Sequence, residues 1–313
     1  MMNYSLIPYL LSSALALEPS AYPKPGNVHR LADLAPRLCY EDFIVTCSIG
    51  SKWLVKAFKR GKKGWKKIVF GDLIYGLVRD IHLLLNTNTC LGSSLLLIPL
   101  AMGISRSIIR EKRGLKDIIE ETIFVVKNTT VYDTIYFYKA VRLASPSYIK
   151  KTDDVDKYVN VWSKNYRKEL LSKNHSLYQV LVYSSKIDIV SDELVNGYPR
   201  SLNAIQFLEG RLYRHKNWNR GVVETYLYLL CNNIDTMVMR THGLEVAETI
   251  SGYACKLLDK IDKEHLYEEL LELDKTLSKK NINPGSIADI IVSTIALYLY
   301  KRVFMDKKKL FRF

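Results

Sequence analysis

Glycine and proline are scarce in this chain, 15 and 9 of 313 residues. A sandwich, barrel or propeller of many short strands needs more turn residues than that, so the composition favours long helices. Acidic residues are also outnumbered. Against 46 Lys and Arg stand 32 Asp and Glu, which leaves a formal charge of +14. Charge constrains partners rather than fold. This sign suits phosphate-rich ligands, from nucleotides to nucleic acid, or an anionic membrane surface. Hydrophobic residues at 48% and charged residues at 25% are ordinary for a packed protein and argue against long disorder.

Cysteine is sparse and unpatterned. Cys39, Cys47, Cys90, Cys231 and Cys255 are odd in number, with no C-x-x-C and no Cys/His cluster. That argues against a structural zinc site and fits a reducing cytoplasm, the expected location. Long hydrophobic runs are missing too. Ser5 to Leu17 faintly resembles a signal peptide but has no Lys or Arg before it. Leu91 to Ile104 is apolar over about 14 residues, short of the ~20 that span a bilayer. Both read as buried helices, and no membrane association is expected. Walker A, G-x-G-x-x-G and G-x-S-x-G motifs are absent, and no Ser or Cys nucleophile stands beside a base.

What is present is helical periodicity. Leu73, Leu77, Ile81 and Leu84 share one helix face, as do Ile118, Ile119, Thr122, Val125 and Val126. Val246, Ile250, Tyr253, Ala254 and Leu257 form another stripe. A last helix is expected from Asn283-Pro284, with Asn as N-cap and Pro in the first turn. The expectation is all-α: one compact domain of ten to fourteen helices over 1–305, then a basic tail, 306–313. Lys150 to Asp156 reads as an exposed loop. Lys52 to Lys67 packs eight basic residues around Trp53, Phe58 and Trp65. A solvated helix face explains that run, and a nucleic-acid surface is the lesser reading.

Four segments break the helical rule, and such inconsistency tends to sit at functional sites. In the stretch Glu18 to Arg30, Pro23 and Pro25 hold the chain extended, and Gly26 permits positive φ or close approach to a ligand. Lys24, His29 and Arg30 crowd this loop with donors; a stiff connector between helices accounts for it equally well. In Asn86 to Gly92, amides and hydroxyls either cap the next helix or bond a phosphate or ribose. In Asn232 to Gly243, Asp235 and Thr236 precede a short apolar run, where an aspartate is a cap or a metal or ribose ligand. In Asn283 to Asp289, Gly285 and Ser286 offer amides at the positive end of a helix, an anion site. Asp289 stands one turn inside that apolar helix, where a buried carboxylate needs a partner.

Together and in this order, the four segments resemble the triphosphoribosyl-dephospho-CoA synthase family. The family's Glu followed by Pro-Lys-Pro-Gly is matched by Glu18 and Pro23-Lys24-Pro25-Gly26, with Val28 and Arg30 beyond. Its Asn-Thr-x-x-Gly is matched by Asn88, Thr89 and Gly92, and its Asp-Thr by Asp235-Thr236, with Gly243 in the turn that follows. Its Pro-Gly-x-x-Ala-Asp is matched from Pro284 to Asp289. The resemblance covers nearly the whole chain. Departures are Cys90-Leu91, where bacterial members carry His-Lys, Met237 in place of Asn, and Thr241-His242-Gly243 in place of Arg-Gly-Gly.

The resemblance implies an all-helical enzyme that transfers the triphosphoribosyl part of ATP to the 2′-hydroxyl of 3′-dephospho-CoA and releases adenine. The product is the precursor of a prosthetic group of acyl carrier proteins. On that reading Glu18 is the general base, and His29 is either an acid for the departing adenine or, the commoner case, an ordinary hydrogen-bonded loop histidine. Lys24, Arg30 and the amides near Gly26, Gly285 and Ser286 hold phosphates. Asn88, Thr89, Gly92 and Thr236 orient ribose or phosphate, and Asp235 and Asp289 hold Mg²⁺ or Mn²⁺. Cys90-Leu91 motivates an alternative in which the same scaffold serves another acceptor, such as a different nucleotide or a sugar phosphate. The basic run motivates a second alternative, a helical nucleic-acid-binding module. An oligomer is compatible with the sequence.

Overall fold

Wherever apolar residues recur every three or four positions, the computed structural model coils the chain into a helix. The structure describes residues 3–34, 38–146, 149, 157–262 and 265–312. The helices are α1 (Ile7–Ser20), α2 (Tyr40–Lys63), α3 (Gly71–Leu85), α4 (Leu91–Ile109), α5 (Leu115–Lys127), α6 (Val131–Ala144), α7 (Tyr166–Lys173), α8 (Leu177–Ser184), α9 (Ile189–Val195), α10 (Pro199–His215), α11 (Trp218–Asn232), α12 (Thr236–His242), α13 (Leu244–Leu258), α14 (Leu266–Lys279) and α15 (Gly285–Tyr300). The all-α expectation holds, and the fifteen α-helices among the described residues slightly exceed its range. No strand forms among the described residues; the extended pieces make only the isolated bridges His29–Ala32 and Leu34–Leu38. The expected loop from Lys150 to Asp156 lies outside the described residues.

The chain divides into two units. One comprises Met1–Ser12 and Ser48–Tyr198, the other Ser13–Cys47 and Pro199–Phe313. In the first, α4 packs on α5, and α3 on α6. Helix α4 is apolar on every side, as an interior helix must be. It runs past the expected apolar stretch because Ser105 and Ser107 are buried and Arg106 pairs with Glu121 on α5. At 19 residues it is long and apolar enough to cross a membrane, yet most of its apolar window is buried within the protein. Its contact with α5 depends on Gly103, where a Cβ would lie 2.7 Å from the Thr122 backbone. Gly103→Ala should therefore cost about 1–3 kcal/mol by overpacking, read from the urea midpoint.

In the second unit α11 packs on α10 and α13, and α15 lies against α10, α11 and α12. From Ser286 onward α15 is buried along nearly its whole length. The segment after it is tied down rather than floppy: Arg302 Nε donates to the Lys309 carbonyl at 2.9 Å, and Phe311 packs edge-on to Trp218.

Cys231 at the end of α11 and Cys255 on α13 form a disulfide, a correction to the fully reduced set expected from the sequence. Two cysteines 24 residues apart carry no spacing pattern; packing of α11 on α13 brings their Cα atoms to 4.6 Å. Cys39, Cys47 and Cys90 take no part in a disulfide. Alkylation of denatured, unreduced protein should thus label three thiols, rising to five after reduction. Five labels before reduction, counted by mass spectrometry, would dispose of the bridge.

Candidate active site

Proline fixes where α1 can end. Pro19 is its penultimate residue, and Pro23 and Pro25 forbid a further turn. The chain therefore leaves α1 extended and folds inward as a buried loop from Ala21 to His29, with only Tyr22 partly exposed. Gly26 is required at its apex. Its φ is +77°, and a Cβ there would stand 2.6 Å from the Ile282 carbonyl oxygen.

Side chains from distant helices satisfy the loop's backbone. Asp274 Oδ1 on α14 accepts the Gly26 amide at 2.9 Å. The Tyr226 hydroxyl on α11 donates to the Pro25 carbonyl at 2.8 Å and accepts from Asn27 Nδ2 at 2.7 Å. Asn219 pairs with both backbone polar groups of Tyr22, accepting its amide at 2.9 Å and donating to its carbonyl at 2.6 Å. Such buried backbone groups need partners.

One ion pair and one His–Asp hydrogen bond anchor this loop. Lys24 Nζ donates to Glu18 Oε1, with Lys24 0% and Glu18 3% exposed. Burial pushes the Glu18 carboxyl above its ordinary value, opposed by the Lys24 charge. His29 is 1% exposed, with Nε2 at 3.1 Å from Asp274 Oδ2 and Nδ1 accepting the Leu31 amide at 3.3 Å. An Nδ1 that accepts leaves the proton on Nε2, facing the carboxylate. Both ring nitrogens are thus engaged, as in the ordinary hydrogen-bonded loop histidine that the sequence also allowed.

The second half of the site is a meeting of two helix N-termini. Asp235 Oδ1 accepts the Val238 amide of α12 at 2.9 Å, and Oδ2 accepts the Ile287 amide of α15 at 2.8 Å. Ser286 Oγ returns the contact by accepting the Met237 amide at 3.1 Å, and it also lies 3.2 Å from Thr236 Oγ1. The sequence favoured Asn283 as the cap of α15. Instead α15 begins at Gly285, Pro284 holds the cap position without a side-chain bond, and the capping carboxylate comes from Asp235. The anion that these helix ends attract is the protein's own, which differs from the phosphate cradle expected at Gly285 and Ser286. The Gly285 amide is likewise taken, by the Asn283 carbonyl at 2.8 Å.

Desolvation pushes the Asp235 carboxyl up to about 6. A carboxyl raised in the folded state stabilises most below its unfolded value near 3.8, and that contribution is lost as pH rises through about 6. Asp235→Ala, which removes two caps, should cost about 2 kcal/mol in urea unfolding, with a larger deficit at pH 5 than at pH 7.

Asn27 Nδ2 joins the halves, lying 3.4 Å from the Pro284 carbonyl. The second unit therefore gathers Glu18, Lys24, Gly26, His29, Asp235, Thr236, Gly285 and Ser286. Arg30 is exposed at the loop's end. Asp289 is half-buried rather than enclosed. Asn88, Thr89 and Gly92 belong to the first unit, where Asn88 Oδ1 accepts the Leu91 amide at 3.1 Å, at the start of α4. Cys90 and Leu91, which stand where bacterial members of the resembled family carry His-Lys, are buried.

Among the described residues no group of three or more His, Cys, Asp or Glu could hold a metal. Both Asp235 oxygens serve backbone amides and the residue is 2% exposed, so it suits a strut better than a ligand. Magnesium commonly takes one or two carboxylates plus phosphate oxygens. Half-buried Asp289 fits that smaller demand.

Comparison with known proteins gives a consistent picture. The profile of the family described as "CitG: ATP:dephospho-CoA triphosphoribosyl transferase" matches residues 5–308. The 2-(5''-triphosphoribosyl)-3'-dephosphocoenzyme-A synthase of Pectobacterium atrosepticum is 31% identical over 81 residues, and a corresponding protein of Pectobacterium carotovorum is 32% identical over 81 residues. Each alignment spans 26% of this chain and 26% of the relative. A crystal structure from Archaeoglobus fulgidus, provisionally titled a triphosphoribosyl-dephospho-CoA synthase, superposes with a TM-score of 0.61 at 25% identity. It covers 82% of this chain and 98% of its own.

Proposed function

The chain belongs to the ATP:dephospho-CoA triphosphoribosyl transferase family, and on that footing we propose that it moves the 5-triphosphoribosyl group of ATP to the 2′-hydroxyl of 3′-dephospho-CoA. The acceptor oxygen bonds to C1′ of the ATP ribose as the C1′–N9 bond breaks. Adenine leaves with the bonding pair and takes up a proton, while the acceptor hydroxyl gives one to a base. The sugar passes through oxocarbenium character, as in glycoside hydrolysis.

The observation that carries this reading is the Glu18–Lys24 pair on a loop built from its own backbone bonds and from α11 and α14. Glu18 is the general base, and its raised carboxyl is better suited to taking a proton near neutral pH than an ordinary glutamate. Lys24, which also donates to the Val28 carbonyl at 3.3 Å, holds the carboxylate until substrate phosphate offers the ammonium a further partner. Asp274 fixes His29 and the Gly26 turn, so that the loop keeps its shape. Arg30, exposed, takes phosphate. Asp289 is the carboxylate that would hold Mg²⁺ together with substrate phosphates, and the ion would neutralise triphosphate charge.

The test is chromatographic detection of free adenine from ATP and Mg²⁺, with and without 3′-dephospho-CoA. Adenine that forms only with the acceptor, beside a product of matching mass, is the expected result. No adenine under either condition would overturn the reading. A second reading, a different acceptor on the same scaffold, is favoured by buried Cys90 and Leu91 in place of a polar His-Lys. Adenine release that requires another nucleotide or a sugar phosphate would select it.

A further inference from the structure

Beside the loop, between α11 and α14, lies an open cleft of about 460 Å³, within the usual range for small-molecule sites. Its polar lining includes Arg30, Asn219, Arg220 and Tyr267, and its apolar wall is Val223, Leu266 and Leu270. We infer that this cleft binds the phosphate groups of an organic phosphate through Arg30 and Arg220, with the apolar wall receiving the organic part. The inference rests on the transferase reading only for the ligand's identity.

Charge accounting supports an anion. The two acids at the cleft are already neutralised. Glu224, fully buried, accepts Arg211 Nε at 2.5 Å and Arg220 Nε at 2.8 Å, with His215 Nε2 at 3.3 Å. Asp262 is held by Arg211 at 2.7 Å and Arg214 at 3.0 Å. Arg220 spends its Nε on Glu224 and one Nη2 donor on the Ile261 carbonyl at 3.2 Å, so three of the five guanidinium donors are left. Arg30 is exposed and has no side-chain hydrogen bond or ion pair among the described residues. Two arginine forks at one opening suit phosphate oxygens, which they can grip in bidentate fashion.

Position supports a substrate rather than a remote effector. Asn219 in the cleft wall holds both backbone polar groups of Tyr22, and the Tyr267 hydroxyl donates to the Tyr22 carbonyl as well. The Tyr22 ring meets His29 edge-on, with centroids 5.0 Å apart. The cleft wall and the loop that carries Lys24, the partner of Glu18, are thus one continuous structure. Two sources present the required chemistry, the triphosphate of ATP and the diphosphate arm of 3′-dephospho-CoA.

Isothermal titration of the full chain with inorganic pyrophosphate, ATP and 3′-dephospho-CoA separates these outcomes. Arg30→Gln alters an exposed side chain and should fold normally; Arg220→Gln is the second variant, checked by CD. Each should weaken pyrophosphate and one of the two nucleotides about tenfold. Selective loss of ATP affinity assigns the cleft to the triphosphate, and selective loss of dephospho-CoA affinity assigns it to the acceptor. Wild-type affinity for all three ligands in folded Arg30→Gln and Arg220→Gln overturns the cleft but leaves the transferase reading intact. Pyrophosphate binding lost in Arg30→Gln, in a protein that releases no adenine, supports the cleft while the functional reading fails.

Discussion

Lys24→Met should destabilise the fold by about 3–5 kcal/mol at pH 7, because it strands a buried carboxylate without its counter-charge. Glu18 is 3% exposed and cannot recover water in place of the ammonium. Its carboxyl is already raised by burial against the pull of Lys24, and without Lys24 it must rise further. A carboxyl raised in the folded state gives stability that is present below its ordinary value of 4.5 and is lost as pH climbs through the folded value. The deficit of Lys24→Met should therefore shrink between pH 7 and pH 5. Adding Glu18→Gln to Lys24→Met should restore most of the loss, since a neutral pair leaves no buried charge. Urea midpoints of the wild type, both single variants and the double variant, at both pH values, decide it. A Lys24→Met protein as stable as wild type at pH 7 would mean that the pair does not form.

Glu18→Gln should lower kcat by 10²–10⁴-fold, the usual weight of a general base, with a much smaller change in KM. The amide keeps the shape and loses the ability to accept the hydroxyl proton. Wild-type kcat should fall on the acid side with a midpoint above 4.5, because the base must be ionised and burial raises its carboxyl. That acid limb should vanish in Glu18→Gln. Glu18→Asp keeps the charge against Lys24 but withdraws the oxygens by one methylene, and should give an intermediate rate with the limb retained. Since Glu18→Gln leaves Lys24 buried without a carboxylate, rates are compared well below each variant's melting temperature. A kcat within tenfold of wild type in folded Glu18→Gln would strip Glu18 of this role.

The helices were legible because apolar spacing is a local property. Leu73, Leu77 and Ile81 are buried as their spacing requires, and so are Ile250, Ala254 and Leu257. Spacing alone over-extended each stripe: Leu84 at the end of α3 and Tyr253 on α13 face solvent, 68% and 53% exposed. The site was legible where proline and glycine break periodicity, as at Pro23, Pro25 and Gly26. What escaped was every partner supplied from far along the chain. Asp274 sits on an ordinary amphipathic helix, and nothing local distinguishes it from the exposed acids beside it. Asn219 and Tyr226 are hidden among the residues of α11 in the same way. For Asp235 the sequence offered a cap or a metal or ribose ligand, but not its second client, Ile287, which lies 52 residues on. The disulfide escaped for the same reason, since only the packing of α11 on α13 pairs Cys231 with Cys255.

The dependence of the Ala21–His29 loop on later residues has a consequence for biosynthesis. Gly26 waits for Asp274, 248 residues further along the chain. At 5–20 residues per second, a translating ribosome delivers that aspartate about 12–50 s after the glycine. Throughout the interval Glu18 and Lys24 have no interior to enter, and the loop remains hydrated and open to proteases. A nascent chain halted before α14 therefore carries the complete Pro-Lys-Pro-Gly motif but no site, and the loop made first is the part of the second unit finished last.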